Sequence, residues 1–361
     1  MPRIQFILKN RDNYYACDRP NEGYGQGHFS SGLYNSAKFV QEMLTDILGF
    51  ESKISSAVDN NCIDKLVTEY QPDIVVIEAY WVVPEKFEIL TKLHPNITWV
   101  VRNHSPMPFA STEGIIIDWS LRYMDYPNVI IACNDERADR EFRNLIRNYK
   151  PDWEDDYLSL RCVFLPNYYP VHFTPRPKPV HSENLNIGCF GAIRPLKNQL
   201  IQAVAAVEYA DSVGKHLYYH INGTRIEGRG DAILQNIRCL FRLIHHDLIE
   251  HPWMNHDDFI TLVRTMDAGL QVSYTESFNI VSADMIMNGV PVVVSPEIKW
   301  VDSLFHANPN ESSDIVKVLG RAIEVNQYLH LLHPNINSLH EYDKRSMRLW
   351  GEFISQECVN I

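Results

Sequence analysis

The sequence predicts an α/β protein made of two domains, each with a parallel sheet covered by helices. The chain has 361 residues, which is more than one ordinary domain holds and suits two domains of roughly 150 residues each. Short apolar runs that are typical of buried parallel strands alternate along the chain with helical stretches. Five prolines between residues 166 and 183 block helix and central strand alike, so a domain boundary is expected there.

The predicted elements follow this division. The segments are an N-terminal domain at 1–168, a proline-rich linker at 169–183, a C-terminal domain at 184–337 and a final helix segment at 338–361. In the first domain, apolar runs predict strands at 3–9, 52–57, 72–80, 97–102, 128–133 and 161–165. Helices are predicted between them at 31–48, 62–71, 84–93 and 134–149.

The second domain repeats the alternation. Strands are predicted at 184–190, 216–221, 247–250 and 269–273, and again just after Gly289. Helices are predicted from the turn at 191–198 to about residue 210, at 231–243, at 256–264, and between Glu276 and Gly289. The last helix, at 338–355, is amphipathic because Met347, Trp350 and Phe353 lie near one face.

The helix before Gly289 carries the most specific candidate site. Ser277 or Asn279 can cap its start, and Gly289 can end it. The N-terminus of a helix exposes unpaired N–H groups and a partial positive charge, so it can hold a phosphate. Glu276 precedes the helix and Asp284 lies about two turns inside it. Two acids that hold hydroxyl groups on either side of a phosphate would suit a nucleotide sugar.

A turn in the same domain supplies cations. Arg194 and Lys197 follow a predicted strand end and lie next to the flexible Gly191. A guanidinium and an ammonium group together can neutralise a diphosphate. An exposed turn with two basic residues is the alternative reading of this segment.

Two further strand ends are candidates for ligand contact. The loop at 18–32 contains Gly25 and Gly27, and its backbone could approach a ligand closely, although the glycine spacing is not the dinucleotide fingerprint. His104 follows the strand at 97–102, where ligands bind in parallel sheets. A surface loop and a structural histidine are the alternatives.

The helix at 134–149 carries a row of basic residues. Arg137, Arg140, Arg143 and Arg147 are spaced three, three and four positions apart, so they share one face. The row could bind an anionic acceptor, or it could be a solvated face because acidic residues are interleaved with it.

Charge and cysteine content restrict the function classes. The net charge of −12 argues against a generally basic nucleic-acid-binding surface. Seven scattered cysteines without a CxxC pair suit a reducing cytosol. No apolar run approaches the roughly 20 residues of a membrane span, and the N-terminus reads as a strand rather than a signal peptide. Asp155 and Asp156 are expected to form an acidic loop, and no metal site is predicted.

Three motifs together resemble a known family. They are Gly188–Asn198 with Arg194 and Lys197, the paired acids Glu276 and Asp284 followed by Gly289, and Val163–Asn167 before the linker. Through these motifs the chain resembles the retaining nucleotide-sugar glycosyltransferases of the GT-B fold, glycosyltransferase family four. Its compact length and the segment His104-Ser-Pro-Met-Pro-Phe resemble glycosyltransferases encoded by large DNA phages. The resemblance implies two Rossmann-like domains that face each other across a cleft, with the C-terminal helix crossing back to the N-terminal domain.

The resemblance also implies roles for individual residues. Arg194 and Lys197 would bind the diphosphate with backbone N–H groups near Phe278 and Asn279. Glu276 would contact the donor sugar and Asp284 the ribose. His104 would contact the donor sugar, and the loop with Gly25 and Gly27 would close over the phosphates. The backbone after Gly223 would border the base.

Two departures from the family pattern concern the donor. Asp284 stands where the family usually has a second glutamate, and the segment after Ser295 lacks the glycines often found there. A UDP-sugar is the expected co-substrate, and the protein is expected to require no cofactor or metal. Retention is thought to proceed without a clearly placed protein nucleophile, so Glu276 is not assigned as one.

The acceptor and the competing functions stay open at this point. A hydroxymethylated base in phage DNA is one acceptor class, and a glycan or a small molecule is the other. A nucleotide-sugar epimerase of the same fold and a non-catalytic sugar-nucleotide-binding protein are the alternatives. The expected location is the cytoplasm, that of the host cell if the protein is phage-encoded.

Overall fold

The computed structural model describes residues 2–10, 31–173, 183–329 and 334–359. The chain divides into two compact units. The first unit comprises Met1–Pro170 with Tyr342–Ile361, and the second comprises Val171–Glu341. Each unit is built on one parallel sheet, so the predicted α/β class with two parallel-sheet domains is confirmed.

The sheet of the first unit has six strands. They are β1 (Arg3–Lys9), β2 (Glu51–Ala57), β3 (Ile74–Glu78), β4 (Thr98–Asn103), β5 (Val129–Cys133) and β6 (Cys162–Phe164). All neighbours pair in parallel in the order β2-β1-β3-β4-β5-β6. Every residue of β3, β4 and β5 is buried, as expected for strands with helices on both faces.

Helices surround this sheet. They are α1 (Ser31–Glu42), α2 (Cys62–Tyr70), α3 (Pro84–Leu93), α4 (Ile116–Tyr123), α5 (Glu136–Tyr149) and α6 (Asp155–Arg161). The helix predicted at 31–48 does not continue as one α-helix, because Met43–Ile47 forms a π-helix. The predicted acidic loop at Asp155 and Asp156 is wrong, since both residues lie in the first turn of α6, where acidic side chains suit the helix dipole.

The sheet of the second unit has five strands. They are β7 (Asn184–Cys189), β8 (His216–Asn222), β9 (Asp247–His251), β10 (Ala268–Gln271) and β11 (Val292–Val294). They pair in parallel in the order β11-β10-β7-β8-β9. The helices of this unit are α7 (Gln199–Ser212), α8 (Asp231–Leu243), α9 (His256–Val263), α10 (Ile280–Met287) and α11 (Ser312–Leu329).

One glycine allows close packing between α10 and the sheet. A Cβ atom at Gly269 in β10 would lie only 1.9 Å from Sδ of Met285. A larger residue there would require the Met285 side chain to move, so this side chain of α10 packs directly against the preceding strand. The N-terminus of α10 follows the loop after β10 and lies at the carboxyl edge of the sheet, where parallel sheets bind ligands.

The last helix, α12 (Pro334–Val359), completes the core of the first unit through its residues from Tyr342 onward. Trp350 is fully buried, its ring centroid lies 6.1 Å from that of Phe6 in β1, and its Nε1–H donates to the carbonyl of Pro166 at 2.9 Å. The predicted return of the C-terminal helix to the N-terminal unit is confirmed by this packing. No helix in the described ranges has the length and apolar character needed to cross a membrane.

Asp343 makes this attachment sensitive to pH. Its Oδ1 accepts the Tyr169 N–H at 3.0 Å, and burial raises the pKa of its carboxyl group to about 8. The folded state therefore binds more protons than the unfolded state between roughly pH 4 and pH 8. The free energy of unfolding should fall as the pH rises through this window.

We expect Asp343→Asn to flatten this part of the stability profile. Asparagine keeps the carbonyl oxygen that accepts the Tyr169 N–H and carries no charge at any pH. Urea unfolding of both proteins between pH 5 and pH 9 checks the prediction, since the variant should be the more stable protein above pH 8. Parallel profiles for the two proteins would show that Asp343 does not titrate as described.

Candidate functional site

The turn after β7 and the loop after β10 are joined by an ion pair. Nζ of Lys197 contacts Oε1 of Glu276, which also accepts the hydroxyl hydrogen of Ser273 at 3.2 Å. The exposed fractions of the two charged side chains are 13% and 9%. The sequence-predicted cation and acid of the second unit are thus brought together in a mostly desolvated position, where electrostatic interactions are strong.

Asn279 caps helix α10. Its Oδ1 accepts the Ser282 N–H at 2.9 Å, while its Nδ2 donates to Oε1 of Gln271 at 2.9 Å. The φ angle of Asn279 is 58°, in the left-handed region that asparagine adopts more readily than most residues. Of the two predicted caps, Asn279 is the one used, and Gly289 ends the helix region with a φ of 72°. These hydrogen bonds orient the N-terminus of α10, with its partial positive charge at the sheet edge.

Phe278, next to the cap residue, packs against Trp300. Its ring stacks on Trp300 with centroids 5.5 Å apart, and Nε1–H of Trp300 donates to the Phe278 carbonyl at 2.6 Å. Phe278 is 2% exposed, so its side chain anchors the loop. Trp300 lies in the glycine-poor segment after β11, and no local sequence signal pointed to this contact.

Arg194 belongs to a second charged cluster in this unit. Its Nη1 lies 3.4 Å from Oε2 of Glu227, while the Nε–H of Arg225 donates to Oε1 of Glu227 at 2.7 Å. The guanidinium carbon of Arg225 lies 4.3 Å from the centroid of the Trp253 ring. Sequence reasoning singled out Arg194 but missed Glu227, Arg225 and Trp253, which lie in loops without a recognisable motif.

The segment around Gly223 is closely packed. A Cβ atom there would lie 2.1 Å from Oε2 of Glu250, and the Gly223 N–H donates to the His251 carbonyl at 3.2 Å. Nearby, Nδ1 of His220 lies 2.9 Å from Nε2 of His251. Burial, together with the neighbouring His251, lowers the pKa of His220 to about 4, so this pair is uncharged at neutral pH.

The carboxylate of Asp284 is buried and contacts a histidine side chain. Its side chain is 2% exposed, and its Oδ1 lies 2.8 Å from Nε2 of His256, the first residue of α9. The His256 side chain is 30% exposed. The imidazole is therefore the accessible member of this acid–histidine pair. The sequence motif located Asp284 but gave no signal for His256, which is 28 positions away.

His104 follows β4 in the first unit and has partners on both ring nitrogens. Its Nε2 lies 2.5 Å from Oε2 of Glu78, and its Nδ1 lies 3.1 Å from Nδ2 of Asn134. Burial lowers the pKa of His104, while Glu78 partly offsets this. The neutral ring with its proton on Nε2 satisfies both contacts, because the carboxylate accepts and the Asn134 amide donates.

Glu78 connects His104 to a buried arginine. Its Oε1 lies 3.1 Å from Nη1 of Arg102, whose Nη2 donates to Oδ1 of Asn167 at 2.6 Å. Burial raises the pKa of Glu78, but the charges and hydrogen bonds of Arg102 and His104 together outweigh it and hold this pKa below its usual value. The carboxyl edge of the first sheet therefore carries a preorganised polar network built from residues at the ends of β3, β4 and β6.

The arginine row on α5 is largely neutralised by acids. Three of its four members lie within ion-pair distance of a carboxylate: Arg137–Glu141 at 3.9 Å, Arg143–Asp139 at 3.0 Å and Arg147–Asp155 at 2.7 Å. Arg140 is exposed. This geometry is that of the solvated-face alternative. The predicted loop residues Gly25 and Gly27 lie outside the described residues.

One group of residues in the described chain has the spacing of metal ligands. One ligand atom each of Asp211, His245 and His246 lies within 4.8 Å of the others. However, Nδ1 of His246 accepts the Leu217 N–H at 3.1 Å, so the neutral ring carries its proton on Nε2, which faces Asp211 at 3.3 Å. A metal needs that lone pair, so His246 in this tautomer is not available as a ligand.

Known proteins resemble this chain in structure rather than in sequence. No family model and no curated protein matches it. The structure resembles an α,α-trehalose-phosphate synthase (UDP-forming) from Burkholderia vietnamiensis, with a TM-score of 0.64 and 10% identity over 99% of this chain and 97% of that one. It also resembles the lipopolysaccharide outer core galactosyltransferase WaaB, with a TM-score of 0.57 and 12% identity over 99% of each chain.

A third similar structure contains a nucleotide. It is a mutant of S. aureus TarM in complex with fondaparinux, alpha-GlcNAc-glycerol and UDP, with a TM-score of 0.58 and 11% identity over 84% of this chain and 58% of that one. At these identities the likeness concerns the fold. The chain has the GT-B fold, with two parallel-sheet α/β domains like those of the glycosyltransferases that it resembles.

Proposed function

We propose that the protein is a glycosyltransferase that moves a sugar from a nucleoside-diphosphate donor, a UDP-sugar, to an acceptor hydroxyl group. The observation that carries the proposal is the group formed by Lys197, Glu276 and the capped N-terminus of α10 at the carboxyl edge of the second sheet. The GT-B fold supports it, since the similar structures are glycosyltransferases and one contains UDP.

In this proposal the cations serve the leaving group. The bond between the anomeric carbon and the diphosphate oxygen breaks, and its electron pair stays on the diphosphate. Lys197, Arg194 and the N–H groups at the start of α10 stabilise that charge, and preorganised donors of this kind are effective in a site with little water. Glu276, paired with Lys197 in the structure, then accepts hydrogen bonds from hydroxyl groups of the donor sugar.

The proposal includes retention of the anomeric configuration. The acceptor oxygen forms its bond to the anomeric carbon on the face that the diphosphate leaves, and the acceptor proton passes to the departing diphosphate oxygen. His104, oriented by Glu78 and Asn134, contacts the donor sugar. No side chain of the chain is assigned as a covalent nucleophile.

A panel of UDP-, GDP- and ADP-sugars tests this function. The protein should release UDP from at least one UDP-sugar, slowly by hydrolysis and faster once a suitable acceptor is present. NMR of the product should show the donor's anomeric configuration. An inverted product would overturn retention alone, whereas no turnover of any donor in the presence of glycan, small-molecule and DNA acceptors would overturn the enzyme assignment.

The acceptor proposed first is a glycan or a small molecule, because the ion pairs of α5 neutralise most of its arginine row. DNA with hydroxymethylated bases is the second candidate, and the exposed Arg140 on the same helix is the feature that favours it. A gel shift with such DNA distinguishes them, since electrostatic DNA binding weakens steeply with salt. A shift at low salt that Arg140→Gln weakens would favour DNA, and the absence of any shift would remove it.

A further inference from the structure

We propose that Glu227 is a positioning residue of the transfer reaction, which holds the guanidinium group of Arg194 in place for the donor diphosphate. This inference rests on the proposed function, which assigns Arg194 to the diphosphate but does not say what orients its long side chain. Glu227 carries out no step itself, since its effect passes through Arg194.

The first argument is that two loops of the second unit share backbone hydrogen bonds. The Ile193 N–H donates to the carbonyl of Arg225 at 2.8 Å, and the Glu227 N–H donates to the carbonyl of Ile193 at 2.9 Å. A Cβ atom at Gly230 would lie 2.1 Å from the Ile193 carbonyl oxygen, so the loop after β8 lies directly against the turn after β7. Main-chain bonds therefore place Glu227 next to the residue that precedes Arg194.

The second argument is that the carboxylate of Glu227 is anchored on one side. Its Oε1 lies 2.7 Å from both Nε and Nη2 of Arg225. The Arg225 side chain is 10% exposed, and its guanidinium carbon lies 4.3 Å from the centroid of the Trp253 ring. A guanidinium group held by a carboxylate and an aromatic ring has little freedom to move. Oε2 of Glu227 is thereby kept on the side of Arg194, whose Nη1 lies 3.4 Å away.

The third argument concerns charge. Arg194 and Arg225 carry two positive charges against the one negative charge of Glu227, so the cluster keeps a net positive charge that attracts a diphosphate. If Glu227 only neutralised Arg194, its removal would strengthen nucleotide binding without slowing the reaction. A positioning role predicts a slower reaction, because a mobile guanidinium group must first be ordered around the developing charge.

Glu227→Gln tests this role with little change in side-chain shape. The amide oxygen should stay on the two donors of Arg225, which leaves the amide NH₂ group facing the Nη1 donor of Arg194. We expect kcat for the UDP-sugar that the donor panel identifies to fall about tenfold, while its KM stays within about twofold of the wild-type value, because the contact strengthens only as charge develops. Glu227→Asp, which keeps the charge on a shorter side chain, should recover part of the rate.

A double-variant cycle shows whether Glu227 acts through Arg194. Adding Glu227→Gln to Arg194→Ala should lower kcat no further, since the side chain that Glu227 positions is already absent. An equal loss in both backgrounds would overturn the inference. A folded Glu227→Gln protein with the wild-type kcat would overturn it too, whether or not that protein binds UDP more tightly.

Glu208→Gln is the matched control, because it removes the same charge from an exposed position on α7 and should keep the wild-type kcat and KM. Melting temperatures show whether each variant folds. If Glu227→Gln does not fold, the cycle is run with Glu227→Asp, which should lower kcat only when Arg194 is present. A wild-type protein that turns over no UDP-sugar would instead overturn the proposed function.

Discussion

Lys197→Ala is expected to lower the rate of sugar transfer by about 100- to 1000-fold, the range found when one preorganised donor to a developing charge is removed. Lys197 is 13% exposed and paired with Glu276, so its charge is only weakly screened by water. Removing it deprives the diphosphate of a cation at the moment when negative charge develops. Initial rates of UDP release with saturating acceptor measure the effect, and Arg194→Ala should produce a loss of the same kind.

Two controls separate this loss from simple unfolding. Lys317→Ala removes the same charge from an exposed position on α11 in the same unit and should keep the wild-type rate. Lys197→Ala leaves Glu276 without its ammonium partner, so the double variant with Glu276→Gln should be more stable than Lys197→Ala but no more active. If both Lys197→Ala and Arg194→Ala released UDP at the wild-type rate, the assignment of the diphosphate site would be wrong.

Arg102→Met is expected to produce the largest loss of stability, about 3–5 kcal/mol, because removing one partner of a buried ion pair leaves an uncompensated charge. Both Arg102 and Glu78 have fully buried side chains. Without the guanidinium, burial favours the neutral form of Glu78, so the loss should be larger at pH 8 than at pH 5. Urea unfolding at the two pH values measures both effects.

The matched control is Arg3→Met, which breaks a pair with Glu51 in which both side chains are substantially exposed. Exposed pairs contribute little to stability, so this variant should unfold close to the wild type. Arg102→Met combined with Glu78→Gln should recover part of the lost stability. Unfolding of Arg102→Met at wild-type urea concentrations would mean that the buried network is not organised as described.

The central strands could be predicted from sequence because they are buried on both faces of their sheets. A strand buried on both faces, such as β3 or β5, is a short continuous apolar run, and both were placed to within a few residues. The helices α4, α6 and α11 were not predicted. In α11 the buried residues Ile315, Val318, Leu319 and Ala322 repeat at helical spacing, so periodicity does carry the signal for that helix.

The candidate site was predictable only where it follows strand ends. The carboxyl ends of neighbouring parallel strands meet at one edge, which is why Lys197 and Glu276 could be expected together, although their direct pairing could not. The contacts Asp284–His256, Arg194–Glu227 and Phe278–Trp300 join residues 28, 33 and 22 positions apart. Such pairings depend on how loops of different elements pack, and no local spacing encodes them.

The melting temperature in the presence of UDP tests the central claim most directly, because a ligand that binds only the native state stabilises it by mass action. At a UDP concentration about 100 times the dissociation constant, the stabilisation is about 2.7 kcal/mol, and wild-type protein and Lys317→Ala should melt several degrees higher. Lys197→Ala should show little of this shift. A wild-type melting temperature that no nucleoside diphosphate or nucleotide sugar changes would contradict the account.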